Sequence, residues 1–145
     1  MRKVLSLFFI IIIAVSLLSG CSGDDYIIEI DDSIFGFKVR HILLNPDDYV
    51  GRTVRYEGLF QTQHCPTTGS FYMVNRSMAG CCGGDGYIGF EVYLGDIEPP
   101  PNDAQVEVYG TFELYEVELP EDAGGGEPLL ILRVAVESLT EVAEG

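Results

Sequence analysis

Thr53-Val54-Arg55-Tyr56-Glu57-Gly58-Leu59-Phe60-Gln61-Thr62-Gln63 is the stretch on which the fold turns. Val54, Tyr56 and Phe60 alternate with Arg55, Glu57 and Gln61, the period of two that a strand with one buried face imposes. The stretch is long for a strand, and Gly58 interrupts its apolar face, where glycine marks a bulge or a sharp bend. A long and strongly curved first strand is predicted. Upstream, Asn45-Pro46-Asp47-Asp48-Tyr49-Val50-Gly51 makes a turn leading into it. Before the turn, residues 35–44 mix Phe37, Val39, Ile42, Leu43 and Leu44 with Lys38, Arg40 and His41, which predicts a short helix stopped at Asn45-Pro46.

Downstream, four further strands read over residues 70–75, 87–94, 105–114 and 129–142, each rich in β-branched or aromatic side chains. Val106, Val108, Phe112 and Leu114 share one face with Gly110 among them, and Leu130, Leu132, Val134 and Val136 share another. Pro99, Pro100 and Pro101 mark one loop, and Gly124, Gly125 and Gly126 a second, neither long enough to separate domains. Five curved antiparallel strands and one short helix in so short a chain predict a mainly β fold. The expected form is a small five-stranded OB-like Greek-key barrel, with a β-sandwich as the alternative.

The amino terminus reads differently. Arg2 and Lys3 precede an apolar run over residues 4–18, and Leu18-Ser19-Gly20-Cys21 follows. The run is shorter than the roughly 20 residues a spanning helix needs, and small residues stand just before the cysteine. This resembles a bacterial lipoprotein signal cleaved before Cys21. The resemblance implies a diacylglycerol thioether on Cys21 and stable attachment to the cell membrane on its extracytoplasmic face. The expected organisation is a signal peptide over 1–20, a lipidated tether over 21–34 that adds at most an edge strand from residues 26–30, and a single domain over 35–145. Two of the eight Lys and Arg, Arg2 and Lys3, leave with the signal, so six remain against twenty-three Asp or Glu, a formal balance of −17. Such a chain repels phosphate backbones, and no basic stripe offers a nucleic-acid site.

With Cys21 given to lipid, three cysteines remain: Cys65 beside His64, and the adjacent pair Cys81-Cys82 in a glycine-rich run. Three readings stay open. Outside the cytosol Cys65 would pair with Cys81 or Cys82 as a structural disulfide. A strained Cys81-Cys82 bridge would suit thiol-redox work. One nitrogen and three sulfurs from His64, Cys65, Cys81 and Cys82 would also fill a tetrahedral zinc site. Adjacent residues on a strand point to opposite faces, so the zinc reading requires both pairs to sit in turns.

Other features carry bland readings. His41 has no nucleophile or carboxylate constellation around it and reads as solvated or packed. The glycines from Gly80 to Gly89 lack the lysine and helix of a phosphate cradle. Phe60, Phe71, Tyr72, Tyr87, Phe90 and Tyr93 would suit stacking in an OB-type groove, but alternating aromatics are more often core. Asp85 and Glu91 read as ordinary exposed acids. Nothing pairs up for catalysis, so a binding or accessory module is expected rather than an enzyme.

Two stretches carry a family resemblance: Asn45-Pro46-Asp47-Asp48-Tyr49-Val50-Gly51-Arg52-Thr53-Val54 with Glu57-Gly58, and Met78 through Cys82 followed by Gly86-Tyr87-Ile88-Gly89-Phe90-Glu91-Val92. Together they resemble the YcgQ-type family over roughly residues 42–140. The resemblance implies an OB-like domain whose Cys-Cys pair precedes a Gly-Phe strand, and an envelope partner such as a multi-helix permease. This chain departs from it in lacking the membrane helices of the larger members and in an extra residue between Met78 and Cys81.

Overall fold

Thr53–Cys65 forms a single strand of thirteen residues, β2, that changes partner midway. Its first half pairs antiparallel with β5 (Gln105–Val117), from Thr53 opposite Thr111 to Leu59 opposite Gln105. Its second half pairs antiparallel with β3 (Gly69–Ala79), from Leu59 opposite Asn75 to Cys65 opposite Gly69. The hand-over adjoins Gly58. A Cβ there would stand 2.8 Å from the Asn75 carbonyl oxygen and 3.0 Å from Val74 Cγ1, so the close approach of β3 needs a residue without one.

In the computed structural model, which describes residues 26–66, 68–79, 85–119 and 128–142, the sheet closes on itself. β3 pairs antiparallel with β4 (Asp85–Tyr93), β4 runs parallel to β6 (Leu129–Glu141), and β6 pairs antiparallel with β5. Because β5 also pairs with β2, the order β2-β3-β4-β6-β5 returns to its start: a closed five-stranded barrel of OB-like form, mainly β as expected. The closing ladder is short, Glu91 to Tyr93 against Arg133 to Ala135.

Inward positions follow the alternation. Val54, Tyr56 and Phe60 of β2 meet Val74, Phe90, Val92, Val106, Val108, Phe112, Leu132 and Val134, all buried. Phe90 is central: its ring lies edge-on to Tyr56 at 5.5 Å and to Phe112 at 5.0 Å. Each such ring buried contributes about 1.5–3 kcal/mol. Gly89, next to it, touches backbone so closely that a Cβ would fall 2.1 Å from the Val74 carbonyl oxygen.

Helix α1 (Phe35–Leu44) closes one end of the barrel. Phe35, Val39 and Ile42, one face at helical spacing, are buried, and the helix packs on β4. It stops where Asn45 turns back, its Nδ2 donating to the His41 carbonyl at 2.8 Å, just ahead of Pro46.

Residues 28–34 pack on the barrel. Ile28–Ile30 forms β1, parallel to β2 from Ile28 opposite Val54 to Ile30 opposite Tyr56, on the edge that β5 does not use. Ile28 and Ile30 are buried in the common core, which three apolar residues in an acidic stretch do not announce. Arg76 locks this segment down: its Nε donates to the Glu57 carbonyl at 2.6 Å, it pairs with Asp32, and its guanidinium lies 4.6 Å above the Phe35 ring.

β3 also exceeds its predicted span, running past Asn75 to Ala79. Arg76, Ser77 and Met78 lack strand-like alternation, but the ladder opposite Ile88, Tyr87 and Gly86 holds them extended. Pairing partners, more than local propensity, decide strand length.

Candidate ligand-binding cleft

Val92, Val134 and Phe112 point into the barrel, so their neighbours Glu91, Arg133 and Glu113 point out. Strand register sets these three in a row: Glu91 stands opposite Arg133 across β4–β6, and Glu113 opposite Arg133 across β6–β5. Arg133 Nε donates to Glu113 at 2.6 Å. Its guanidinium lies 4.3 Å from the ring centroids of both Tyr93 and Tyr115, within cation–π range. The Tyr115 hydroxyl donates to Glu91 at 2.6 Å. Burial pushes the Tyr115 phenol up to about 12; the hydrogen bond to Glu91 and that carboxylate's charge add to the rise, and Arg133 opposes it.

Glu91, Tyr93, Tyr115 and Arg133 line a cleft of about 600 Å³ together with Ser70, Phe71 and Tyr72 of β3, and with Thr68 and Glu116 to Glu118. The cleft thus lies across the second and third strands of the barrel, between the connection joining β2 to β3 and the point where β5 ends. OB-type barrels take up their ligands on this face. Tyr93 is half exposed and presents a ring to the cleft. Glu91, Glu116 and Glu118 outnumber Arg133, so the lining is acidic as well as aromatic. Such a lining suits a neutral or cationic ligand with a face to stack.

A second groove of about 630 Å³ runs along Glu29, Asp31, Asp32, Glu57 and Glu107. Its cations are already engaged, Arg76 by Asp32 and Arg55 by Glu29 at 3.9 Å. It is an array of solvated charges on the outside of β1 and β2.

Of the residues singled out from sequence, Cys21, Cys81 and Cys82 lie outside the described residues. His64 and Cys65 are described, and both belong to the extended strand β2 and not to a turn. Their side chains therefore leave on opposite faces, and His64 Nδ1 lies 3.3 Å from the Ser70 hydroxyl. Cys65 is half-buried opposite Gly69, where β3 begins. From there β3 runs ten residues on to Ala79. Among the described residues no group of three or more His, Cys, Asp or Glu could hold a metal ion.

His41 Nδ1 lies 3.0 Å from the Tyr49 hydroxyl and packs edge-on against that ring. Phe60 and Phe90 are core, whereas Phe71, Tyr72 and Tyr93 line the cleft. Glu91, read as an ordinary acid, holds Tyr115. Arg133 and Tyr115 were not singled out at all. The available signal was Arg133 itself, a lone charge inside the apolar run Leu129 to Val136.

No protein-family model matches the chain, and no curated protein matches it.

Proposed function

We propose that this chain is a lipid-anchored, extracytoplasmic binding module, held to the cell membrane through Cys21, that takes up a neutral or cationic ligand in the β3–β4 cleft. The position of that cleft carries the reading. It occupies the face on which OB-type barrels bind, and an Arg133–Tyr93–Tyr115 stack with two glutamates holds its wall in place. A preorganised wall loses little entropy when a ligand arrives. The acidity of cleft and chain disfavours nucleic acids and other polyphosphates. Binding is proposed in place of catalysis, with a permease or other envelope protein as the partner suggested by the family resemblance.

Two measurements test this. Incorporation of an alkyne palmitate analogue in the producing cell should label the chain and disappear in Cys21→Ala. Amide chemical shifts of residues 22–145 should move at Phe71, Tyr93 and Arg133 on titration with an N-acetylglucosamine tetramer or with tetralysine, and stay fixed with polyphosphate. Shifts produced by polyphosphate, or by neither of the other probes, would reject the cleft reading.

A further inference from the structure

We infer that the outer face of α1 rests on the lipid bilayer and sets the barrel on the membrane with its cleft turned away. The inference rests on the lipid-anchor reading. Phe35, Val39 and Ile42 define the buried face of α1. On a helix with 100° per residue, the positions directly opposite are Phe37 and Leu44. A surface helix normally carries its most polar residues there. Instead Phe37 is 76% exposed and Leu44 71% exposed, among the most exposed large apolar side chains of the described residues. Arg40 and His41 flank them, Lys38 stands at the border of the stripe, and Ile34, just before the helix, is also exposed.

Charge separates this face from the rest. Helix α1 contains Lys38, Arg40 and His41 and no acid, in a chain with twenty-three Asp or Glu. An aromatic and a leucine between basic side chains match the interfacial zone of a membrane, where rings sit at headgroup level and cations meet anionic lipid. The stripe is too narrow for a stable protein interface: Phe37 and Leu44 are about 10 Å apart along the axis, whereas a partner needs about 800 Å² on each side.

The anchor supplies what so small a stripe lacks. Six residues separate Cys21 from Ile28, a span of at most about 25 Å, and β1 leads into α1 through one 3-10 turn, Asp32–Ile34. A tether that short holds the helix at an effective concentration of millimolar order beside the bilayer, so a weak partition is enough to fix orientation. Gly36 of α1 adjoins Met78, near the end of β3, whereas the cleft begins at Thr68 and Ser70, near the start of that strand. With α1 on the membrane, the cleft opens toward the other side.

The chain has no tryptophan, so a single indole reports its own site. Phe37→Trp and Leu44→Trp, and Leu130→Trp as an exposed site at the cleft end, would each be made in the mature chain lipidated at Cys21. Each would be reconstituted into vesicles of phosphatidylcholine and phosphatidylglycerol at three to one, with and without brominated acyl chains. The expected result is at least about twofold quenching and a blue shift for Phe37→Trp and Leu44→Trp, and neither for Leu130→Trp. Equal behaviour of the three indoles in chains that still float with the vesicles overturns the inference and leaves the anchor standing. A chain whose Cys21 carries no lipid overturns the anchor reading, and the inference with it.

Discussion

Glu91 and Arg133 stand opposite each other across the parallel pairing of β4 and β6, yet their strongest contacts are with other residues. Arg133 bonds Glu113, and Glu91 receives the Tyr115 hydroxyl. The result is a continuous network, Glu113–Arg133–Tyr115–Glu91, along the wall of the cleft. Each member is positioned by a neighbour on a different strand, so the wall is as rigid as the barrel beneath it.

Removing the centre of that network should loosen the wall without unfolding the barrel. For Arg133→Ala the partly exposed ion pair and the two ring contacts together account for a loss of about 1–2 kcal/mol. Urea denaturation measures it, and Arg133→Lys should recover less than half, because an ammonium lacks the planar stack. A variant as stable as the parent would show that the stack contributes nothing.

Tyr115 makes the cleft sensitive to alkaline pH. Its folded-state pKa is raised above the ordinary tyrosine value, so its contribution to stability is complete below about 10 and is lost as pH rises through about 12. Ultraviolet absorbance of phenolate should show one tyrosine titrating near 12, and Glu91→Ala should move that step down toward 10 by removing both the hydrogen bond and the charge. A step unmoved by Glu91→Ala would leave burial as the whole cause.

Tyr56 holds a hydroxyl in the core with no hydrogen-bond partner among the described residues, and burial pushes its pKa up. The ring is needed against Phe35 and Phe90, but the oxygen is not. Tyr56→Phe should therefore stabilise the fold by about 1 kcal/mol, measured as a higher urea midpoint at unchanged slope. Destabilisation would mean that the hydroxyl is satisfied by a water.

What the amino-acid sequence determined alone is whatever depends on local period. Alternation in residues 53–63 and 105–114 disclosed two-faced strands, Asn45-Pro46 disclosed the end of α1, and together these were sufficient for a small barrel. Such features arise from backbone geometry within a few residues, and the chain carries them wherever it is placed. Tertiary structure decided the rest. Only register across β4, β6 and β5 brings Glu91, Arg133 and Glu113 into one row, because residues 22 and 42 positions apart meet only after the sheet has closed. Only the parallel ladder with β2 gives Ile28–Ile30 a place in the core. The ladder of β2 with β3 holds His64 and Cys65 in an extended strand and sends their side chains to opposite faces, although adjacent donors in a sequence suggest a single site. Donor type can be read along a chain, but convergence is a property of the folded sheet.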